Sequence, residues 1–142
     1  MQSLYDVNLL IAMFDPHHLH HDRALAWHSQ NGHSGWATCP ITQNGLMRIM
    51  SQAKYPNCKP IVEMMGAVAA FALDPHHTFW PDDLSLASAG VLHAKATMTS
   101  GMLTDLYLLA LAVKHSGRLV TLDQHISQSV VVGATAAHLV VL

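Results

Sequence analysis

Four oxygen-bearing side chains stand where apolar segments end or where helices begin. Asp6 follows the apolar stretch that opens the chain, and Asp123 ends the stretch RLVTLD. Gln43 and Asp105 fall in the first turns of two predicted helices. Carboxylate and amide oxygens are ligands that Mg²⁺ and Mn²⁺ prefer, and such ions promote the hydrolysis of phosphate esters. The four residues therefore define a candidate site for metal-dependent hydrolysis.

The three carboxylates of this set would repel one another if they met in one pocket. Without a cation, some of Asp6, Asp105 and Asp123 would have to take up protons. A hard divalent cation removes this penalty and keeps several water ligands, which leaves positions for a phosphate and an attacking water. We therefore take the three acids as candidate metal ligands. Gln43 is the one uncharged member of the set.

The elements that must position these residues alternate between strands and helices. Short apolar segments predict strands, and segments with apolar residues three and four apart predict helices. Strands separated by helices form parallel sheets covered on both faces, and the useful site lies beyond the carboxyl ends of the strands. We expect a three-layer α/β/α fold with a mostly parallel sheet of about five strands. The predicted strands are 3–7, 34–39, 79–80, 118–123 and 136–142; the predicted helices are 8–13, one within 17–32, 42–53, 61–73, a short one at 84–92, and 104–115.

Length and composition are typical of one ordered domain over residues 1–142. Hydrophobic residues make up 51% and charged residues 11%, which excludes a disordered chain, and a net charge of −2 provides no strong field that attracts nucleic acid. The opening MQSLYDVNLL has no basic region of a signal peptide, and two cysteines make no disulfide framework. We expect a cytoplasmic protein without membrane segments.

Other interpretations of the same residues stay open at this point. Each Asp could be an ordinary turn or first-turn residue, and Thr42 with Gln43 could simply begin a helix, with Thr42 as its N-cap. Histidines are abundant at 17–21 and 76–77 and could bind zinc in a structural zinc protein. Neither cluster, however, has the spacing or the paired cysteines of common zinc sites.

An ordered set of short motifs resembles the PIN-domain ribonucleases, and among them the VapC-type toxins of toxin–antitoxin pairs. The motifs are YDVN at 5–8, TQNGLMRI at 42–49, TDLYLLALA at 104–112 and GRLVTLD at 117–123. The segments HHLHHDRALAW and FWPDDLSL also resemble connecting segments of one bacterial VapC subgroup. The resemblance covers nearly the whole chain in the same order, so the set is far more specific than any one motif.

The resemblance implies roles for particular residues. It places an acidic quartet at Asp6, Asp105, Asp123 and position 43, where the family usually has Glu and this chain has Gln43. Four further residues would support the quartet. The resemblance implies that Asn8 orients Asp6 and that Thr104 and Thr121 hydrogen-bond around the acids. It also implies that Arg48 binds an RNA phosphate or an antitoxin carboxylate.

The resemblance also implies a function. It predicts a Mg²⁺- or Mn²⁺-dependent endoribonuclease toxin that hydrolyses phosphodiester bonds in RNA such as transfer RNA. Its partners would be an antitoxin of the VapB type and a second copy of the same chain. The alternative is a PIN-like protein that binds antitoxin or RNA but cleaves weakly or not at all, because Gln43 lacks the charge of the usual Glu.

Overall fold

The computed structural model describes residues 1–142, which form five strands and five α-helices. All strand pairings are parallel, and the strand order across the sheet is β3-β2-β1-β4-β5. No helix has the length and apolarity needed to cross a membrane. The α/β prediction is confirmed. The elements are β1 Ser3–Tyr5, α1 Val7–Phe14, α2 His21–Asn31, β2 Trp36–Thr38, α3 Pro40–Met50, α4 Ile61–Phe71, β3 His77–Phe79, α5 Leu103–Lys114, β4 Arg118–Thr121 and β5 Leu139–Val141.

The sheet has an apolar core on each face, because alternate strand residues point to opposite sides. Leu4 and Leu119 pack with the apolar residues of α5 on one face. Tyr5 and Val120 pack with α1, α3 and α4 on the other face. Each fully buried Leu contributes about 1.5–3 kcal/mol through the hydrophobic effect. The two cores hold the central strands rigidly and therefore fix where their carboxyl ends lie.

The strand order places β1 at the centre, with β2 and β4 as its neighbours. The connections leave β1 in opposite directions, since β2 and β3 lie on one side and β4 and β5 on the other. Parallel sheets open a crevice at such a point. Asp6 directly follows β1, and Asp123 follows β4, so the fold brings these two residues to the same edge.

Two helices begin earlier than predicted, and Thr42 is not an N-cap. α3 begins at Pro40, and Thr42 lies in its first turn, where its Oγ1 accepts the Cys39 N–H at 3.0 Å. Proline is favoured at the first helical position because it has no N–H to satisfy, and this moves the start of the helix ahead of Thr42. α5 begins at Leu103, so Thr104 lies inside the first turn rather than at the cap.

The segment 84–92 is not the helix that we predicted. It consists of turns, because the Ser85 Oγ accepts the Ala87 N–H at 3.3 Å and competes with helical bonding. Gly90 then has a φ of +83°, a left-handed conformation that ends any helix. Several strands are also shorter than predicted: β1 stops at Tyr5 because Asp6 caps α1.

Candidate active site

The three predicted acids come from three elements that meet at the carboxyl edge of the sheet. Asp6 is the N-cap of α1, where its Oδ1 accepts the Val7 N–H at 2.6 Å, and only 4% of the residue is exposed. Asp105 lies in the first turn of α5, and Asp123 lies just beyond β4. Helix starts and strand ends therefore direct all three side chains towards one region.

The Thr121 hydroxyl, which is fully buried, ties two of these acids to the sheet. It donates to the Asp6 Oδ2 at 2.6 Å and accepts from the Asn8 Nδ2 at 2.9 Å and the Asp123 N–H at 3.0 Å. A hydroxyl offers one donor and two acceptor positions, so all three are used. The Asn8 Oδ1 also accepts the Leu122 N–H at 2.9 Å. In this network, Thr121 connects Asn8 to Asp6.

The acids are electrostatically unfavourable to one another. Burial, followed by the charges of Asp6 and Asp123, raises the pKa of Asp105 to about 6. Burial also raises the pKa of Asp6, although hydrogen bonds from Thr121 and from the Val7 N–H oppose the change, and the charge of Asp123 adds to it. Both shifts mean that the folded protein disfavours the ionised carboxylates in the absence of a cation.

An open cleft of about 560 Å³ lies over Asp6 and Asp105. Its walls are the starts of α1, α3 and α5. Thr104 and Asn8 line it, as does Arg48. The α3 wall consists of residues spaced as one face of a helix, at positions i, i+3, i+4, i+7 and i+8. These wall residues are Ile41, Asn44, Gly45, Arg48 and Ile49.

Comparison with known proteins identifies the family. No protein-family model matches the sequence. The chain is, however, 41% identical to ribonuclease VapC44 of Mycobacterium tuberculosis over 142 residues, which is 100% of both chains. It is also 38% identical to ribonuclease VapC39 of the same organism over 134 residues, covering 94% of this chain and 96% of that one. The chain belongs to the VapC family of ribonucleases.

A solved structure shares the fold of this VapC-family chain. The structure of VapBC2 from Rickettsia felis bound to a DNA fragment from their promoter matches with a TM-score of 0.58 at 14% identity. The match covers 87% of this chain and 89% of that chain. The resemblance to PIN-domain, VapC-type ribonucleases that the motifs indicated is confirmed.

Gln43, at the position where the resemblance implied Glu, does not line the acidic cleft. Its Nε2 donates to the Thr38 Oγ1 at 2.9 Å, and its side chain lies in a separate, mostly apolar groove between α3 and α4. Consecutive helical residues point about 100° apart, so Asn44, the next residue, faces the cleft instead. The structure brings Asp6 and Asp105 into this cleft and Asp123 next to them. It does not bring Gln43 there.

The spacing of α3 carried a signal that the motif match overlooked. Asn44 lies three residues after Ile41 and four before Arg48, so these side chains share a face. Gln43 is instead four residues before Met47, which lies in the groove facing α4. Spacing fixes which residues of α3 share a face, but it does not fix which face turns towards the acids.

The histidine clusters make structural hydrogen bonds. The His21 Nδ1 contacts the Ala12 carbonyl oxygen at 2.8 Å, and the His77 Nε2 contacts the Thr38 Oγ1 at 2.8 Å. His17 and His18 lie near the buried Asp15. No group of three or more His, Cys, Asp or Glu side chains is close enough to hold a metal ion by protein ligands alone. The structure therefore gives the zinc alternative no support.

Because no such group exists, protein side chains alone would not complete the coordination of a metal ion in the acidic cleft. Asp6 and Asp105 have no Lys or Arg partner, since the three ion pairs in the structure join Lys114 and His115 to Asp83, and His125 to Asp123. Uncompensated carboxylates suit a hard cation. Mg²⁺ and Mn²⁺ accept water for much of their coordination, so these side chains fit a partly hydrated ion rather than a complete protein cage.

Proposed function

We propose that this protein is a Mg²⁺- or Mn²⁺-dependent endoribonuclease toxin, inhibited by an antitoxin of the VapB type. The observation that carries the proposal is the group of acids at the carboxyl edge of the sheet, none of which forms an ion pair with a Lys or Arg side chain. Burial and the nearby charges of Asp6 and Asp123 raise the pKa of Asp105 to about 6, so its ionised form is disfavoured unless a cation binds. Membership of the VapC ribonuclease family links this group of acids to RNA cleavage.

Asp6, Asp105 and Asp123 are the proposed ligands. When bound, the divalent ion would lower the pKa of a coordinated water and offset charge on the phosphate. Asp6 can present a fixed carboxylate because Thr121 and the Val7 N–H hold both of its oxygens. Water would fill the coordination positions that these ligands leave. Each of the chain's own groups therefore has a positioning or charge-balancing task.

Arg48 supplies positive charge at the mouth of the cleft. Its side chain is exposed and lines the same cleft as Asp6 and Asp105. A guanidinium donates paired hydrogen bonds to phosphate oxygens with matching geometry. Arg48 would therefore attract the RNA backbone over the acids, or accept a carboxylate of the antitoxin when RNA is absent. Thr104, also exposed on the rim, can hydrogen-bond either ligand.

The names of the relatives and of the solved structure support the partners. The Rickettsia felis structure contains VapBC2 with promoter DNA, and the curated relatives are named ribonucleases. By this analogy, RNA is the substrate and a VapB-type protein is the antitoxin. Transfer RNA as the target rests on the family resemblance of the motifs alone. We propose a cytoplasmic homodimer. Val62 and Met65 expose apolar surface on α4 that a second protein chain can cover.

The alternative of a weakly active binding protein is not favoured by any observation. That alternative rested on Gln43 replacing a charged site residue. Gln43 instead hydrogen-bonds Thr38 and faces α4, so the lack of a charge on Gln43 does not remove a charge from the cleft.

RNA cleavage with and without divalent ions tests the proposal. Wild-type protein should cleave a structured RNA with Mn²⁺ or Mg²⁺ and stop when the ions are chelated. The substitution Asp6→Asn should lower the cleavage rate by about 100-fold or more, as removal of a catalytic electrostatic group commonly does. Asp22→Asn is the matched control, because Asp22 is an exposed first-turn acid of α2. Equal cleavage by Asp6→Asn and wild type would contradict the proposal.

A further inference from the structure

Asn44 faces the acidic cleft with an amide that no protein group engages. It is exposed on the α3 wall, one turn before Arg48, which is also exposed there. Neither side chain forms an ion pair, and the Ser51 hydroxyl bonds the backbone carbonyl of Arg48 rather than its guanidinium. Two polar side chains four residues apart on one helix face point in the same direction. They form a pair that is free to bind a ligand in the cleft.

Gly45 sets how closely this pair approaches the acids. A Cβ atom at Gly45 would lie 2.7 Å from the Val7 Cγ2, closer than carbon atoms pack. The missing side chain allows the start of α3 to lie directly against the start of α1, where Asp6 is the N-cap. The position of Asn44 beside the acids is therefore a consequence of the backbone packing of two helices, not of a flexible loop.

The side-chain amides of Gln43 and Asn44 have different hydrogen-bond partners, and we therefore assign them different roles. Gln43 donates to Thr38 and lies in the groove towards α4, so its polar group is already used. Asn44 adds hydrogen-bonding capacity to the acidic cleft without adding negative charge. A carboxylate at this exposed rim would repel the phosphates of RNA, whereas an amide can donate to a phosphate oxygen or a ribose hydroxyl.

We propose that Asn44 binds the RNA backbone, with its amide hydrogen-bonded next to the reacting phosphate while Arg48 pairs with a phosphate beside it. This inference rests on the proposed ribonuclease function and deepens it, because it assigns substrate binding to the face of α3 that lines the cleft. The acids hold the metal; Asn44 and Arg48 hold the substrate. Gln43 has no part in either task.

Adjacent amide residues on opposite faces provide a matched pair of variants. Steady-state cleavage of a fluorescent oligoribonucleotide is measured for wild type, Asn44→Ala and Gln43→Ala. Asn44→Ala should raise KM by about 10-fold, as expected for loss of a hydrogen bond to a charged group, with kcat nearly unchanged. Gln43→Ala should leave KM at the wild-type value. Asn44→Asp should raise KM further, since it brings a negative charge towards the phosphates.

Mn²⁺ titration of the RNA-free protein by calorimetry completes the test. Asn44→Ala should bind Mn²⁺ as wild type does, because the acids supply the ligands. A weakened Mn²⁺ affinity would mean that Asn44 is a metal ligand and would overturn the inference, as would a wild-type KM for Asn44→Ala. Failure of the proposed function itself looks different: Asp105→Asn would then cleave as fast as wild type. Circular dichroism melting should show wild-type folding and stability for Asn44→Ala, since Asn44 is exposed.

Discussion

At the residue scale, the acids of the cleft oppose the stability of the folded protein. Asp6 and Asp105 are held near each other and near Asp123, without a Lys or Arg partner, and the pKa of both is raised. A carboxyl group whose folded pKa lies above its unfolded pKa destabilises the native state once the pH is high enough to ionise it. The ion that function requires is also the ion that would relieve this strain.

Asp105→Asn should therefore stabilise the metal-free protein while it removes activity. We expect a gain of roughly 1 kcal/mol at neutral pH, less than the full pKa shift implies because solvent screens the partly exposed group. The gain should be complete above the folded pKa of about 6 and should vanish below the unfolded value near 3.8. Thermal melting in chelator across this pH range measures it. A lower melting temperature for the variant at pH 7 would contradict the electrostatic account.

Gln43→Glu should change RNA cleavage little, by less than about 3-fold. Gln43 contacts Thr38, whose hydroxyl can turn to donate to a carboxylate instead of accepting from an amide. The added charge would lie in the groove towards α4 rather than among the acids. Initial rates at limiting Mn²⁺ are the sensitive readout. A marked increase would show that position 43 reaches the metal after all.

At the element scale, the close approach of α1 and α3 shapes the cleft. Gly45→Ala should destabilise the protein by about 1–2 kcal/mol, because the clash with the stiff, branched Val7 outweighs the better helix propensity of Ala. It should also raise KM for RNA by moving Asn44. Adding Val7→Ala should relieve the clash and recover the KM. Urea denaturation and steady-state kinetics of the two single variants and the double variant measure the coupling; simple additivity would contradict close packing.

Asp15, at the end of α1, joins two loops through the hydrogen bonds of its carboxylate. Although Asp15 is buried, it accepts hydrogen bonds from the Tyr55 hydroxyl, from the Asn57 Nδ2 at 2.9 Å and from the His17 N–H at 3.0 Å. Burial alone would raise the pKa of Asp15, but these hydrogen bonds outweigh it and lower the pKa. Asp15 thus connects the α1–α2 loop to the α3–α4 loop.

Asp15→Asn should lower the free energy of unfolding by about 1–3 kcal/mol at pH 7, because buried donors lose a charged acceptor. A lowered pKa contributes stability above the unfolded value, about 3.8, and this stability is lost as the pH falls through the folded value. The difference between wild type and variant should therefore shrink in acid. Urea denaturation at pH 7 and below pH 4 checks this. A difference independent of pH would contradict the role of the ionised carboxylate.

At the scale of the whole molecule, the order of apolar and amphipathic segments predicts the fold and the edge of the sheet where the acids lie. It does not predict which face of α3 turns towards those acids. Apolar strands between amphipathic helices require a covered parallel sheet, and the carboxyl edge of that sheet collects Asp6 and Asp123 because β1 and β4 are neighbours. Whether Gln43 or Asn44 turns towards the acids depends on how α3 packs against α1 and α4, and residue spacing alone does not determine this. One residue of error in a helix turns a side chain by about 100°.

The central claim is that the acids at this edge form a divalent-metal site. Calorimetric titration of Mn²⁺ into wild type and into the double variant Asp6→Asn/Asp105→Asn tests it most directly, with Asp22→Asn as the control. The account predicts saturable binding in wild type and in the control, and loss of that binding in the double variant, whose fold is verified by circular dichroism. Equal Mn²⁺ affinity in wild type and the double variant would contradict it.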